Sequence, residues 1–373
     1  MSREINGSEP VGLYVHVPFC RKKCPYCHFF VLPDNEESQI SYHVALLEEL
    51  FQYKQQLGEF PIRSLYFGGG TPSLYEGIGD FLEELNPPSD IEITIEANPE
   101  DISLDKMEQF RLLGINRVSI GVQSLVDSEL LVLGRTHSRV RAIDAVWETY
   151  TAGFSNISID LMYELPFQTE ESFNKTLTTL EKLPITHLSL YNLTFEQNTV
   201  FTKQKKTLLP HVPSGRSSSK MLKNAVSTLE SMGLARYEIS AFAKPGFEAV
   251  HNTGYWQGTP FIGLGPSAFS FLGGARYKNV AHLKKYMQAL DQGTFPIDFY
   301  EKLPEADALA ERLAVHLRLF NGVNMHEFPS LPSDLKNRVE TLQTEGLLRT
   351  KDNRLMLTSK GKLFYDTVGA GLI

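Results

Sequence analysis

The sequence predicts an α/β protein: a partial (β/α)6 barrel of the TIM type, three quarters of a complete eight-stranded one, with a C-terminal α+β domain of winged-helix-like pattern. Three observations carry that expectation. Short β-rich runs alternate with stretches of helical periodicity between residues 11 and 193. The alternation then gives way to a Gly- and aromatic-rich stretch over 244–277, and residues 333–368 read as helix, hairpin, helix. A chain of 373 residues is long enough for such a barrel plus an appended domain.

Taken in order, strands are expected at VGLYVH (11–16), IRSLYF (62–67), IEITIEA (91–97), RVSIGV (117–122), NISIDLMY (156–163) and THLSLYNL (186–193). Between them, 36–57, 103–113, 138–152 and 170–182 carry apolar residues at helical spacing. Strand alternating with helix implies parallel strands joined by right-handed crossovers. A further helix is expected over 216–232, a strand near 236–241, and only loops and short strands over 244–277. ALAERLAVHLRLF reads as an amphipathic helix, and LLRTKDNRLMLT as two short strands about a polar turn. The chain thus divides into a barrel (1–235), an extension (236–300) and a C-terminal domain (301–373).

Composition bounds the function. Hydrophobic residues at 42% and charged residues at 21% suit an ordinary globular core. The net charge of −8 argues against nucleic acid as a partner, and the seven basic and five acidic side chains of 332–373 favour packing or protein contact for the winged-helix-like domain. MSREINGSEP has no apolar signal region and no 18-residue apolar run exists, so the expectation is a cytoplasmic chain without a transmembrane segment, a pattern still compatible with peripheral membrane contact.

All three cysteines, Cys20, Cys24 and Cys27, crowd into one stretch after the first strand. So few, so close, they cannot form a disulfide framework, and a metal or redox role in a reducing compartment is the better reading. Three thiolates at this spacing can ligate three irons of a [4Fe–4S] cube and leave the fourth open. Zinc, with His16 or His28 as a fourth ligand, and unligated thiols are the alternatives that spacing leaves.

CxxxCxxC after a first strand, with further βα units behind it, resembles the radical S-adenosylmethionine superfamily. YVHVPFCRKKCPYCHF, FGGGTPS, RVSIGVQS, LGRTHS, YEISAFAKPGFEAVHNTGYWQG and IGLGPSAFS further resemble its coproporphyrinogen oxidase-like group, which contains oxygen-independent coproporphyrinogen III oxidases and heme chaperones. The resemblance implies a radical SAM barrel whose open iron chelates the amino and carboxylate groups of S-adenosylmethionine. It implies cofactor contacts from Tyr14, Tyr26, Gly69, Gly70, Thr71, Glu96, Gln123, Arg135 and Asp160. Several of these stand at strand ends, where βα barrels build their sites. From the residues alone, Arg135 and Asp160 also read as a simple ion pair, and the glycine run as an ordinary turn whose amides are free to meet a ligand.

Within the group, three features imply the chaperone branch. The oxidases resemble CxxxCxxCxC, whereas Phe29 stands at the fourth cysteine's place; they carry a longer N-terminal extension than the 19 residues ahead of Cys20; and His251, Asn252, Tyr255 and Trp256 match the HNxxYW signature associated with heme. That branch implies heme as ligand, with His251 as a candidate axial ligand, and a heme-acceptor protein as partner. The other readings are radical decarboxylation of coproporphyrinogen III and a zinc-stabilised binding module. One departure stands out: the group's DLIYGLP-like stretch reads DLMYELP, with Glu164 at the usual glycine.

Overall fold

The computed structural model describes residues 10–58 and 60–373. The expectation for the first residues as a non-targeting N-terminus lies outside them. Six parallel strands form as expected: β1 (Val11–Val17), β2 (Ile62–Gly69), β3 (Glu92–Ala97), β4 (Arg117–Gln123), β5 (Asn156–Tyr163) and β6 (His187–Asn192). Apolar residues run almost unbroken along β1, where only Tyr14 is not buried, because helices cover one face and the barrel interior the other. The covering helices are α1 (Glu36–Leu57), α2 (Ile78–Leu85), α3 (Leu104–Leu112), α4 (Asp127–Val132), α5 (Arg139–Thr151) and α6 (Glu170–Leu180). Their starts follow capping chemistry: Asn35 accepts from Ser38 N, Ser103 from Lys106 N, Ser138 from Arg141 N, and Thr169 forms a reciprocal box with Ser172.

Beyond the six strands, α7 (Gly215–Ser231) leads into a hairpin where the sequence predicts one strand. The turn through Glu238 splits it into β7 (Ala235–Arg236) and β8 (Ala241–Ala243), with Ser240 N donating to Glu238 Oε1 at 2.9 Å. Over 244–277 the chain forms more than loops and strands: α8 (Val250–Gln257) carries the HNxxYW segment. After it come β9 (Phe261–Leu264), β10 (Phe269–Leu272) and β11 (Ala275–Asn279), then α9 (Leu283–Asp291) and β12 (Ile297–Glu301). β9 pairs in parallel with β1, so one 12-stranded sheet runs β12-β11-β10-β9-β1-β2-β3-β4-β5-β6-β8-β7. Hydrophobic faces of the barrel strands and helices share one core, including Leu13, Leu46, Phe67, Ile95, Ile120 and Ile159.

The C-terminal part has its own core around Leu313, Leu317, Val323, Leu342 and Leu355. It is built from α10 (Glu305–His316), β13 (Val323–Asn324), α11 (Ser333–Thr344), β14 (Leu348–Lys351), β15 (Arg354–Leu357), α12 (Ser359–Leu363) and α13 (Tyr365–Leu372). The three short strands pair β13-β15-β14. Among the described residues no helix is long and apolar enough to cross a membrane.

Candidate functional site

The cysteines sit on a loop that its own backbone closes. Phe19–Cys20 pairs with Leu32–Pro33, Asp34 N donates to Cys20 O at 3.1 Å, and Cys27 N turns back to Cys24 O at 3.1 Å. All three thiols are free and half-buried. Burial pushes the Cys20 thiol up to about 11, against the hydrogen bond that Thr71 Oγ1 gives its sulfur at 3.5 Å. Arg135 Nη1 lies 3.5 Å from Cys24 Sγ, a fixed cation beside a thiol that a ligated metal would leave as thiolate. The other guanidinium nitrogen donates to Asn98 Oδ1 and to Gly121 O at 2.9 Å, and Asn98 in turn reaches Thr71 Oγ1 at 2.9 Å. Arg135 is therefore not the ion-pair partner of Asp160, which takes its hydrogen bonds from Ser119 at 3.3 Å and from Ser189.

The glycine run works differently from an open anion cradle. Gly70 N donates to Val17 O at 2.8 Å and Thr71 N to Phe19 O at 2.7 Å, so both amides are spent on the start of the cysteine loop. A Cβ on Gly70 would stand 2.6 Å from Phe19 O, which is why this strand end needs glycine. Gly69 N donates to Glu96 Oε2 at 3.2 Å, and its φ of 111° is closed to ordinary side chains. Gly134, in LGRTHS, serves the same loop from the other side, for a Cβ there would meet Pro25 at 2.7 Å.

Strand register brings the remaining polar groups onto the barrel interior. Tyr14 pairs with Tyr66, Glu96 with Ser119, and Asp160 with Ser189. Tyr14 stacks on Tyr66 at 6.2 Å and bonds His16 Nδ1 at 3.1 Å, while Tyr66 Oη donates to Glu96 Oε1 at 2.8 Å. Burial first, and the Asp160 charge second, raise Glu96 to about 7. Gln123 closes β4 in a left-handed conformation, φ 64°. Tyr26 packs toward Phe201 at 6.2 Å and hydrogen-bonds Cys24, with its phenol pushed up by burial.

His251 is enclosed, only 3% exposed. Its Nδ1 meets Ser64 Oγ at 2.9 Å, its Nε2 meets Tyr255 Oη at 2.7 Å, and its ring stacks on Tyr66 at 5.1 Å. Burial lowers it to about 3, leaving a neutral imidazole with both nitrogens engaged. Four residues on, and so on the same helix face, Tyr255 turns toward a cavity of about 960 Å³ between β9–β12, α10 and the cysteine loop. Trp256 also lines it, under the Arg318 guanidinium at 4.2 Å, and its buried indole Nε1 has no hydrogen-bond partner among the described residues. Asn252, between them in the motif, is half-buried and does not line the cavity.

Phe269, Phe271, Phe29 and His28 complete the aromatic wall, and Arg276, Lys278 and Arg312 supply cations. Of these, only His28 is a ligand candidate from sequence, as a possible fourth ligand of zinc. The alternation of Phe269 and Phe271 in AFSFLGG is the signal that puts both on one face of a strand. A second cavity, about 670 Å³ between α5 and α6, shares no lining residue with this one.

An open βα barrel with three cysteines on the loop after its first strand defines a radical S-adenosylmethionine protein. Residues 14–180 match the Radical SAM superfamily and residues 303–364 the HemN C-terminal domain. The chain belongs to the heme chaperone HemW family. It is 31% identical to heme chaperone HemW of Bacillus subtilis over 95% of this chain and 97% of that one, and 32% identical to the Mycobacterium tuberculosis protein of the same name over 96% and 94%. The mitochondrial radical S-adenosyl methionine domain-containing protein 1 of Dictyostelium discoideum is 34% identical over 96% and 93%. In fold, the chain resembles the solved coproporphyrinogen III oxidase (HemN) of Escherichia coli, with a TM-score of 0.87 over 98% of this chain and 90% of that one at 24% identity.

Proposed function

We propose that this chain takes up heme and passes it to an acceptor protein, while Cys20, Cys24 and Cys27 hold a [4Fe–4S] cluster beside bound S-adenosylmethionine. The observation that carries the reading is the cavity of about 960 Å³: aromatic on most of its wall, provided with a few cations, and adjoining the cysteine loop. Flat apolar faces suit a porphyrin, and the unpartnered Trp256 Nε1 is a donor waiting for a carboxylate or water. The relatives' name, heme chaperone, agrees with this chemistry.

The residues fit the cluster as well. Three free thiols share one braced loop, which suits the ligation of three irons of a [4Fe–4S] cube. When bound, the cluster supplies electron transfer and an iron open to the cofactor's amino and carboxylate groups. Arg135 balances thiolate charge and ties the loop to Asn98 and β4. Tyr14, Glu96, Gln123 and Asp160 offer donors and acceptors to the cofactor's ribose and ammonium groups, Tyr26 covers the cluster, and Gly69, Gly70 and Thr71 let the end of β2 approach the loop. In the heme site, Tyr255 and Trp256 form the wall, His251 fixes Tyr255 through their hydrogen bond, and Asn252 stands beside His251 on the same helix.

The labour divides along the chain: residues 1–235 hold cluster and cofactor, 236–300 carry the HNxxYW segment, and 301–373 present the docking surface for the acceptor. Free thiols of this kind need a reducing compartment, and the cytoplasm is the reading they support. The test is a paired assay on anaerobically reconstituted protein. Mixed with ferric heme it is expected to bind stoichiometrically; mixed with coproporphyrinogen III, S-adenosylmethionine and reductant it is expected to yield no protoporphyrinogen IX. Porphyrinogen turnover would overturn the reading, and zinc without acid-labile sulfide would remove the cluster from it.

A further inference from the structure

Gly273 and Gly274 join β10 to β11 with φ of 57° and 71°, a two-residue turn whose left-handed angles match the twist of a hairpin. The turn closes on the pair Leu272–Ala275 and so fixes the register behind it. Phe271 falls opposite Arg276 and Phe269 opposite Lys278, and β12 continues these two rows with Glu301 and Phe299. Alternation sends Tyr277 to pack on the barrel core, while Arg276 and Lys278 line the aromatic cavity with Phe269, Phe271 and Glu301. One wall of the cavity is therefore a grid of two rows, each with one cation at its centre.

The two cations differ in what neutralises them. Arg276 is paired with Glu301 in its own row at 2.9 Å and with Glu311 on α10. Arg312, the other arginine on the wall, lies over the Phe328 ring at 4.8 Å with Glu327 at 3.9 Å. The remaining carboxylate on the wall, Glu305, belongs to the first turn of α10, where the helix's own N-terminus balances it. Lys278 has no such partner. It is half-buried, its ammonium stands over the Phe269 ring at 5.7 Å, and among the described residues it makes no ion pair. The rings that flank it in the grid, Phe269 and Phe299, meet edge to face at 6.3 Å.

We propose that Lys278 anchors a heme propionate and makes the cavity selective for porphyrins that carry a free carboxylate. The proposal rests on the heme reading above and deepens it from an aromatic fit to a recognised group. Flat apolar faces accept any macrocycle of the right size, so they supply affinity without selectivity. An ammonium supplies three donors, and charge-assisted bonds to a carboxylate are strong where apolar rings thin out the water. The anchor also sets orientation. Phe269 and Phe299 are 47% and 40% exposed, so their row is the solvent side of the grid, and a propionate held there turns the opposite edge of the macrocycle inward toward Tyr255 and Phe261. The propionate edge is then the part of the ligand that an acceptor meets first.

The test titrates the full-length protein with ferric heme and, separately, with ferric heme dimethyl ester, both dissolved in the same detergent, and follows tryptophan quenching and the Soret band. The ester keeps the macrocycle and the iron and removes both charges. Wild-type protein is expected to bind heme about tenfold more tightly than the ester. Lys278→Met keeps an apolar stem over Phe269 and should weaken heme binding by about tenfold while leaving the ester unchanged, so that the preference disappears. Lys278→Arg should restore the preference. Equal weakening of both ligands in Lys278→Met would reduce Lys278 to a packing residue and overturn the proposal. A preference that survives in Lys278→Met, or a wild-type protein indifferent to esterification, would overturn it as well. Failure of the wild-type protein to take up either ligand would instead sink the heme reading itself.

Discussion

Glu164 shows what a single backbone angle costs. It follows β5 with φ 63°, the left-handed region that side chains with a Cβ enter only at a cost of roughly 1–2 kcal/mol. The glycine expected there thus serves conformation, a requirement that the letters DLMYELP alone do not reveal, because a close-approach glycine and a positive-φ glycine look alike in sequence. Glu164→Gly is expected to raise unfolding stability by about 0.5–1 kcal/mol in urea titration, the gain being trimmed by glycine's larger unfolded-state entropy; a loss of stability would contradict it. Glu96 gives a pH dependence with a definite sign. Its folded value of about 7 exceeds the ordinary 4.5, so the folded state binds more protons between those limits. Stability from this group is therefore fully present below about 4.5, falls as pH rises to about 7, and is level above that, a change on the order of 3 kcal/mol. Comparing cluster-free wild type with Glu96→Gln at pH 5 and pH 8 should show the extra loss in wild type alone. Equal losses in both proteins would remove Glu96 as the cause.

At the scale of elements, the helix bearing the HNxxYW segment depends on a residue some 160 positions earlier in the chain. Both carboxylate oxygens of Glu92, at the start of β3, accept from the first amides of α8: Val250 N and His251 N, each at 3.1 Å. A carboxylate at a helix N-terminus satisfies donors that the helix cannot satisfy itself and complements its dipole. Arg117 Nε stands 3.9 Å from Glu92, a buried counterion that balances the carboxylate without hydrogen-bonding it. This is why α8 escapes a reading of periodicity: VHNTGYWQ combines a glycine with β-branched and aromatic residues of modest helix propensity, and the group that starts the helix comes from another strand. The six parallel strands and α1, by contrast, are legible to within a residue or two, because their apolar runs and caps are local. Parallel β9 is hidden for the opposite reason, since FIGL is short and lies among glycines. Glu92→Ala is expected to cost about 2 kcal/mol, from two lost charge-assisted bonds and a freed Arg117, and to lower heme uptake by loosening Tyr255. Unchanged stability by urea unfolding would show that α8 is held by packing instead.

For the molecule as a whole, the cavity has walls drawn from two separate cores, and a few contacts join them. Arg276 on β11 pairs with Glu311 on α10, and Arg318, just after α10, spreads over Trp256 and pairs with Glu238 at 3.3 Å. Glu238 is the critical partner, for it is only 4% exposed and lies in the turn between β7 and β8, bridged to Leu319. Burial raises its carboxyl, and the Arg318 guanidinium pulls it back toward the ionised form. Removing the guanidinium that hydrogen-bonds a buried carboxylate, with only the more distant charge of Arg236 left to balance it, costs about 3 kcal/mol. Arg318→Ala is therefore expected to strike the joint between the cores more than either core. The barrel core, centred on residues such as Leu13 and Phe67, contains neither Arg318 nor Trp256 and should keep its own midpoint. The two tryptophans make the separation measurable: Trp256 lies at the joint, while Trp147 on α5 is already 44% exposed and should change little. In wild type, tryptophan emission and far-UV circular dichroism should trace one urea transition. In Arg318→Ala the emission change should move to lower urea ahead of the circular dichroism change, and heme affinity should fall with it, because α10 would no longer close the cavity. Coincident transitions in the variant would mean that the C-terminal domain and barrel remain one cooperative unit without this contact, and that the cavity wall is held by Arg276 and the apolar packing of α8 on α10.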